Sequence, residues 1–347
     1  MTAYLHAIGT AVPSHPVHRA FLDWASARLE PRPRALFARM AARAGIAERW
    51  SVLPDPTAAG GFYAGAMSGT AARMAIYADE APRLALAAIA DLAREVDCAG
   101  ITHLVVASCT GFVAPGIDQI IAATLGLSPA IERTLIGFMG CYAAIAALRT
   151  ARHIVRSEPA ARVLVVTVEL STLHLQDTRD VGALLAMLQF GDGAAAALVT
   201  GAAGGIALGQ PFAAALPDSA ALIRWTITDQ GFAMHLDGAV PTRIGVALSD
   251  PALVARIAGD TAPDALFWAV HAGGRSILDA VEQALALPAD ALAASRAVLH
   301  DNGNMSSATL LFVLARLLAA PPAARRGVAL AFGPGLAAEG LALERVA

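Results

Sequence analysis

The sequence contains no lysine; all 25 of its basic side chains are arginine. Without an ε-amine the chain cannot form a Schiff base with a carbonyl substrate, anchor pyridoxal phosphate or complete a Walker-type phosphate loop. Cysteine is scarce as well: Cys98, Cys109 and Cys141 are an odd number without CxxC spacing, so neither a disulfide framework nor a metal site is expected. An excess of one charge is missing too, with a net charge of −3, which gives no general attraction to nucleic acid. The longest uncharged run, 193–217, contains GAAGG and two prolines and lacks the Leu, Ile and Phe density of an inserted helix. It reads as buried strand plus loop, and no membrane span is expected. The opening MTAYLHAIGTAVPSHP has no basic region followed by an apolar block; no secretory signal is expected, and a cytoplasmic location is.

What remains is a chain of 347 residues that is 56% hydrophobic, mostly through Ala, Leu and Val. That composition suits a large buried core. Short β-branched runs, THLVVASC (102–109), ARVLVVTVE (161–169), AAAALV (194–199), ALFWAVH (265–271), RAVLH (296–300) and RGVALAF (326–332), alternate with longer Ala/Leu-rich segments. The alternation predicts an α/β protein with a largely buried sheet. Helices are expected over 83–95, 117–125, 141–156, 275–285 and 305–318.

A weak internal repeat divides the chain into 1–205 and 206–347. In the first half a strand ends at Cys109, a helix follows that ends LGL, and a further strand delivers Cys141 to a helix start. In the second half a strand ends at His271, a helix follows that ends LAL, and a further strand delivers Asn304 to a helix start. The spacings are 32 and 33 residues. A pseudo-twofold core would bring matching strand ends together and make Cys141, His271 and Asn304 candidates for one site.

The chemistry of these residue types suits that grouping. A lone cysteine is usually a small buried hydrophobe, but Gly140 permits a tight turn before Cys141. The helix that follows would aim its positive end at the sulfur, lowering the thiol pKa so that thiolate forms near neutral pH. His271, in VHAGG, is either structural or the partner that holds a thiolate and hydrogen-bonds a thioester oxygen. Asn304, in GNMSSA, is either the cap of the next helix or a second oxyanion donor.

At these residues the chain resembles the type III polyketide synthases, the chalcone synthase-like branch of the thiolase fold. The motifs match in order: AIGTAVP (7–13), EAPRLALAAI (80–89), GFMGCYAA around Cys141, ELSTLHL (169–175), FGDGAAA (190–196), WAVHAGGRSILD (268–279), GNMSSA and AFGPGL (331–336). The resemblance implies two pseudo-symmetric βαβαβ halves in a layered αβαβα core, and a homodimer. It implies an enzyme with no bound cofactor that loads an acyl group from coenzyme A onto Cys141 and extends it with malonyl-CoA. His271 and Asn304 would hold the malonyl thioester carbonyl where enolate charge develops. The alternatives are an initiating β-ketoacyl-acyl-carrier-protein synthase, or a silent thiolase-fold subunit that binds acyl chains.

Further roles follow from the same resemblance. Phe190 matches the family's gate phenylalanine, against a reading as ordinary strand packing, and a second gate phenylalanine is replaced by Met234. Ser306 falls in the pocket. Arg39 and Arg43 fall in the segment that binds coenzyme A phosphates, against a reading as a solvated helix face, and a family lysine there is Leu36. Cys109 and His174 stand at plant threonine positions, Trp225 at a cavity glycine, and Ala114 at a methionine that crosses the dimer interface. Bulk at His174 and Trp225 should shrink the cavity, while Ala114 and Cys109 open space elsewhere. The expectation is a medium or long fatty acyl starter and an alkylpyrone or alkylresorcinol product.

Overall fold

The computed structural model describes residues 1–65 and 67–346. In chain order the strands of its main sheet are β1 (Ala3–Ala11), β2 (His103–Ser108), β3 (Glu132–Gly137), β4 (Arg162–Leu170), β5 (Asp192–Thr200), β6 (Ile206–Ala215), β7 (Phe267–Val270), β8 (Arg326–Gly333) and β9 (Ala337–Arg345). They form one mixed sheet in the order β7-β8-β9-β6-β1-β5-β4-β2-β3.

The order repeats outward from the β1–β6 junction. In the first half β1 runs antiparallel to β5, β5 antiparallel to β4, and β4 parallel to β2. In the second half β6 runs antiparallel to β9, β9 antiparallel to β8, and β8 parallel to β7. This is the pseudo-symmetry the repeat spacing implies. The halves differ at the edge: β3 pairs with β2, whereas RAVLH, expected as the matching strand, lies in the helix Ala293–Asn302. Its buried residues Ser295, Val298, Leu299 and Asn302 recur at i, i+3, i+4 and i+7, a helical stripe that a five-residue β-branched count does not register.

Side-chain alternation along the strands divides the core into layers. Val105, Ala107, Val163, Val165, Ala329 and Ala331 face one inner cluster, which also holds the helices Ala143–Ser157 and Ser307–Ala319. Their neighbours Leu104, Val106, Leu164 and Val166 face an outer cluster covered by the helix Thr70–Leu92. Val328 and Leu330 face a third, covered by helices of the second half. Two central helices therefore sit between the half-sheets, with helices outside each, giving the layered α/β arrangement.

The helix expected over 83–95 starts earlier, at Thr70, and runs through Pro82. Burial of Arg73, Tyr77, Ala81, Leu84 and Ala88 on one face offsets the hydrogen bond that the proline removes. Gly9 of β1 is what lets this helix lie so close, since a Cβ there would stand 2.1 Å from the Leu92 nitrogen and 2.3 Å from the Ala88 oxygen. Among the described residues, no helix is long and apolar enough to cross a membrane.

Candidate active site

Cys141 lies in a single 3-10 turn, Gly140–Tyr142, between β3 and the helix Ala143–Ser157. Gly140 adopts φ +72°, and a Cβ on it would come within 2.5 Å of Pro334 Cδ in the AFGPGL loop. A glycine is required here to seat the Cys141 turn against that loop. The Tyr142 hydroxyl donates to the Pro334 carbonyl at 3.2 Å and fixes the same contact.

His271 follows β7, its amide donating to the Leu330 carbonyl at 2.8 Å. The residue is 2% exposed, and among the described residues neither ring nitrogen has a partner. A buried imidazole with both nitrogens unsatisfied is costly unless something else fills the space. Asn304 joins the two halves of the site. Its Nδ2 donates to the Gly273 carbonyl at 3.2 Å, and its Oδ1 accepts from the Ser306 amide at 2.8 Å. Ser306, not Asn304, occupies the N-cap of the helix Ser307–Ala319, so the capping alternative gives way to a side chain held inside the site. The Cys141 Sγ stands 3.9 Å from the Ser306 hydroxyl.

Delivery of Asn304 uses Gly303, which ends the helix Ala293–Asn302 at φ +67°. A Cβ there would lie 2.8 Å from both Arg49 Cγ and the Gln189 oxygen. A helix stop with a left-handed glycine thus does what a strand end was expected to do.

The electrostatics depart from expectation. Burial, together with the Glu169 carboxylate, pushes the Cys141 thiol up to about 12, offset in part by Ser306 and Asn304. Burial brings His271 down to about 3. Desolvation thus works against the charged form of each group taken singly, opposing the pull of the helix amides on the sulfur.

Glu169 was not foreseen as a site residue. It is fully buried at the end of β4, where its carboxylate accepts from the Cys109 amide at 3.0 Å, the Thr110 hydroxyl at 2.9 Å and the Ser307 hydroxyl. Burial raises it to about 7 despite those bonds. The signal was present: an acidic residue within the apolar run ARVLVVTVEL. Cys109 packs beside it, its sulfur accepting from the Gly140 amide at 2.9 Å, and burial holds its thiol well above the usual range.

Two cavities lie nearby, one reaching Phe190 and the other Gly273; Cys109 and Ser306, expected in the pocket, line neither of them, and nor do Cys141, His271 and Asn304. An aromatic pocket is lined by Phe190, Trp225, Phe232, Met234, His174 and Arg49 among others, with about 70 Å³ free. His174 stacks on Phe232 at 4.2 Å and meets Trp225 at 6.0 Å; Phe190 meets Trp225 at 6.1 Å. His174 is pinned by a 2.7 Å bond from Nε2 to the Thr110 carbonyl, while Nδ1 accepts from the Phe232 amide at 3.0 Å. Burial lowers it to about 4, so it is a neutral wall residue.

A second, larger groove of about 780 Å³ leads from Arg43 and Arg275 to Gly273, Gly274 and Gln189. Arg39 is not among its lining residues. The Gln189 Oε1 is buried and unpartnered, a second group that sequence reasoning missed. Ala114 lies outside both cavities, on the exposed loop between β2 and the helix Ile117–Thr124.

The two symmetric halves, with Cys141 supplied by the first and His271 and Asn304 by the second, define a protein of the thiolase fold. The sequence matches the family descriptions "Chalcone and stilbene synthases, N-terminal domain" over residues 1–203 and "Chalcone and stilbene synthases, C-terminal domain" over residues 208–347. The chain belongs to this family, the type III polyketide synthases. It is 37% identical to the rice (Oryza sativa subsp. japonica) bisdemethoxycurcumin synthase over 78% of this chain and 73% of that protein. It is also 37% identical to the "Alpha-pyrone synthesis polyketide synthase-like Pks18" of Mycobacterium tuberculosis, over 70% of this chain and 65% of that one.

Among solved structures, PKS-I of the brown alga Ectocarpus siliculosus superposes with a TM-score of 0.90 at 28% identity, covering 99% of this chain and 98% of that one. The C-terminal type III polyketide synthase domain of Steely1 from Dictyostelium superposes at 0.91 and 25% identity, with both chains fully covered.

Proposed function

We propose that this enzyme condenses an acyl-CoA starter with malonyl-CoA and closes the product to an alkylpyrone or alkylresorcinol. The observation that carries the reading is His271: two unpartnered ring nitrogens in a buried ring, with Asn304 bonded to Gly273 beside it and a groove arriving at the same glycines. Such a histidine is prepared for an oxygen that gains charge only during reaction.

In this scheme the starter thioester enters along the groove, where Arg43 and Arg275 meet phosphate and Gln189 meets the amide-bearing arm. As the Cys141 sulfur attacks the thioester carbon, its proton passes to His271 and coenzyme A leaves as thiol. Because the free site favours both neutral forms, the nucleophile is generated with substrate in place rather than beforehand. Malonyl-CoA then binds with its thioester oxygen toward His271 and Asn304. Carbon dioxide leaves, the enolate oxygen is held by their N–H groups, and the carbanion carbon attacks the acyl thioester on Cys141. Repetition and an intramolecular attack release the ring.

The aromatic pocket supports few extensions, since Trp225 and His174 fill the space around Phe190 and Met234. A fatty tail is supported on the other side, where a cavity of about 250 Å³ beside Ala114 is lined by apolar residues including Val113, Ile117, Leu135 and Phe138. Phe112, Leu135 and Phe138 are 68%, 48% and 62% exposed; this apolar surface supports a homodimer through the same face. We further infer that no cofactor stays bound and that the enzyme works in the cytoplasm. The test is a mass-spectrometric product profile with malonyl-CoA and acyl-CoA starters from acetyl to stearoyl, with Cys141→Ala as control. Long-chain pyrones or resorcinols that require Cys141 are expected. Preference for short or aromatic starters would overturn the starter assignment, and products independent of Cys141 would overturn the mechanism.

A further inference from the structure

At the end of the sheet away from Cys141, three side chains from three elements converge. His103 opens β2, Glu132 opens β3 directly opposite it in the strand register, and Glu158 follows the helix Ala143–Ser157. The His103 Nε2 lies 3.6 Å from a Glu132 carboxylate oxygen and 3.8 Å from one of Glu158. One ligand atom from each residue falls within 4.8 Å of the other two.

These separations are too long for hydrogen bonds. They suit atoms that share an ion. Two ligands each about 2.1 Å from a common zinc stand roughly 3.4 Å apart at the tetrahedral angle, and about 3.8 Å apart if that angle opens to about 130°. The imidazole is also held as a metal ligand needs. The Thr102 hydroxyl accepts from the Arg162 amide at 2.9 Å and lies 2.8 Å from the His103 Nδ1. With Nδ1 held by that hydroxyl, Nε2 is the ring atom that faces the two carboxylates. An outer oxygen on the second ring nitrogen is the usual companion of a ligating histidine.

Among the described residues no arginine pairs with these acids. Arg133, next to Glu132, pairs instead with Asp118 at 2.7 Å, and among the described residues Glu132 and Glu158 make ion-pair contacts only with His103. The ring itself is buried, at 5% exposure, while both carboxylates reach an open cavity of about 370 Å³ that also holds His153. Solvent can complete the coordination from that side.

We propose that His103, Glu132 and Glu158 bind a divalent transition-metal ion of the zinc type, tying the edge strand β3 to the end of the central helix. The ion takes no part in condensation, because the site lies at the opposite strand ends from Cys109 and Cys141.

The test titrates the tag-free, metal-stripped full chain with ZnCl2 by calorimetry and with CoCl2 by visible absorption, at neutral pH. One equivalent should bind to the wild type and equally to Cys141→Ala, and zinc should raise the melting temperature of both. The double variant Glu132→Gln/Glu158→Gln, altered only at exposed positions, should bind at least tenfold more weakly and lose the zinc-dependent shift. Three results would each overturn the site: no stoichiometric binding, undiminished binding in the double variant, or loss of binding in Cys141→Ala.

Discussion

Phe190 and Asn304 form a parallel bridge outside the main sheet. The Asn304 amide donates to the Gln189 carbonyl at 2.7 Å, and the Gly191 amide donates to the Asn304 carbonyl at 3.0 Å. The gate assigned by resemblance and the proposed oxyanion donor thus share one backbone register. Arg49 holds that register from behind, its Nη1 donating to the Phe190 carbonyl at 2.6 Å. A shift of either strand segment moves both functions together.

Gly303 is the weakest point of that arrangement for substitution. Gly303→Ala places a Cβ 2.8 Å from Arg49 Cγ and the Gln189 oxygen at a φ of +67°, a backbone conformation that costs about 1–3 kcal/mol for a residue with a side chain. Lower stability by about that amount is expected in urea denaturation, with slower condensation. Alkylation of Cys141 should stay within twofold of wild type, since the nucleophile turn rests on Pro334 rather than Gly303. Equal loss of alkylation and condensation would show that the effect is global.

The state of the thiol is directly measurable. With Cys141 raised to about 12, iodoacetamide modification of the free enzyme should keep rising tenfold per pH unit from pH 7 to pH 10, without a plateau. A plateau centred near pH 6 to 7 would mean a preformed thiolate–imidazolium pair, and the order of events proposed for loading would fail.

The pattern of legibility follows from the range of the forces involved. Strands such as THLVVASC and ARVLVVTVE were legible because both their faces are buried, in the inner and outer clusters. Cys141, His271 and Asn304 are proposed from the repeat and the motifs around them, and the structure sets Asn304 against Gly273 and Cys141 near Ser306. The helix Ala293–Asn302 was not, because its short apolar run has no partner strand to reveal the missing pairing until the sheet order is known. Desolvation of Cys141 and His271 was equally hidden, since burial depends on contacts from both halves of the chain. Arg39 and Ala114 were placed by alignment alone, and neither lines the aromatic pocket or the groove.

Glu169 gives a pH signature of stability. Its folded value of about 7 lies above the ordinary 4.5, so the folded chain holds this proton more tightly than the unfolded one. The resulting stabilisation is complete below about pH 4.5 and is lost as pH rises to about 7, on the order of 3 kcal/mol in all. Glu169→Gln cannot titrate. The stability of the wild type minus that of the variant should fall across this window and then level off, whereas a constant difference from pH 4.5 to 8 would mean an ordinary carboxylate.

The direction taken by the acyl tail separates two substitutions. Trp225 is a half-buried member of the aromatic wall, touching His174 and Phe190 and facing Met234 across its hairpin. Trp225→Gly enlarges the pocket where the growing chain folds, at a stability cost of roughly 1–3 kcal/mol. It should increase the number of malonyl units in the product while leaving the preferred starter length unchanged. Ala114→Met instead fills space on the exposed loop beside the apolar cavity of Val113 and Ile117, and should shorten the accepted starter without altering the number of extensions. Product masses for the two variants against the same ladder of acyl-CoA starters decide the matter. If Trp225→Gly changes starter length and Ala114→Met does not, the tail lies in the aromatic pocket and the cavity beside Ala114 carries nothing.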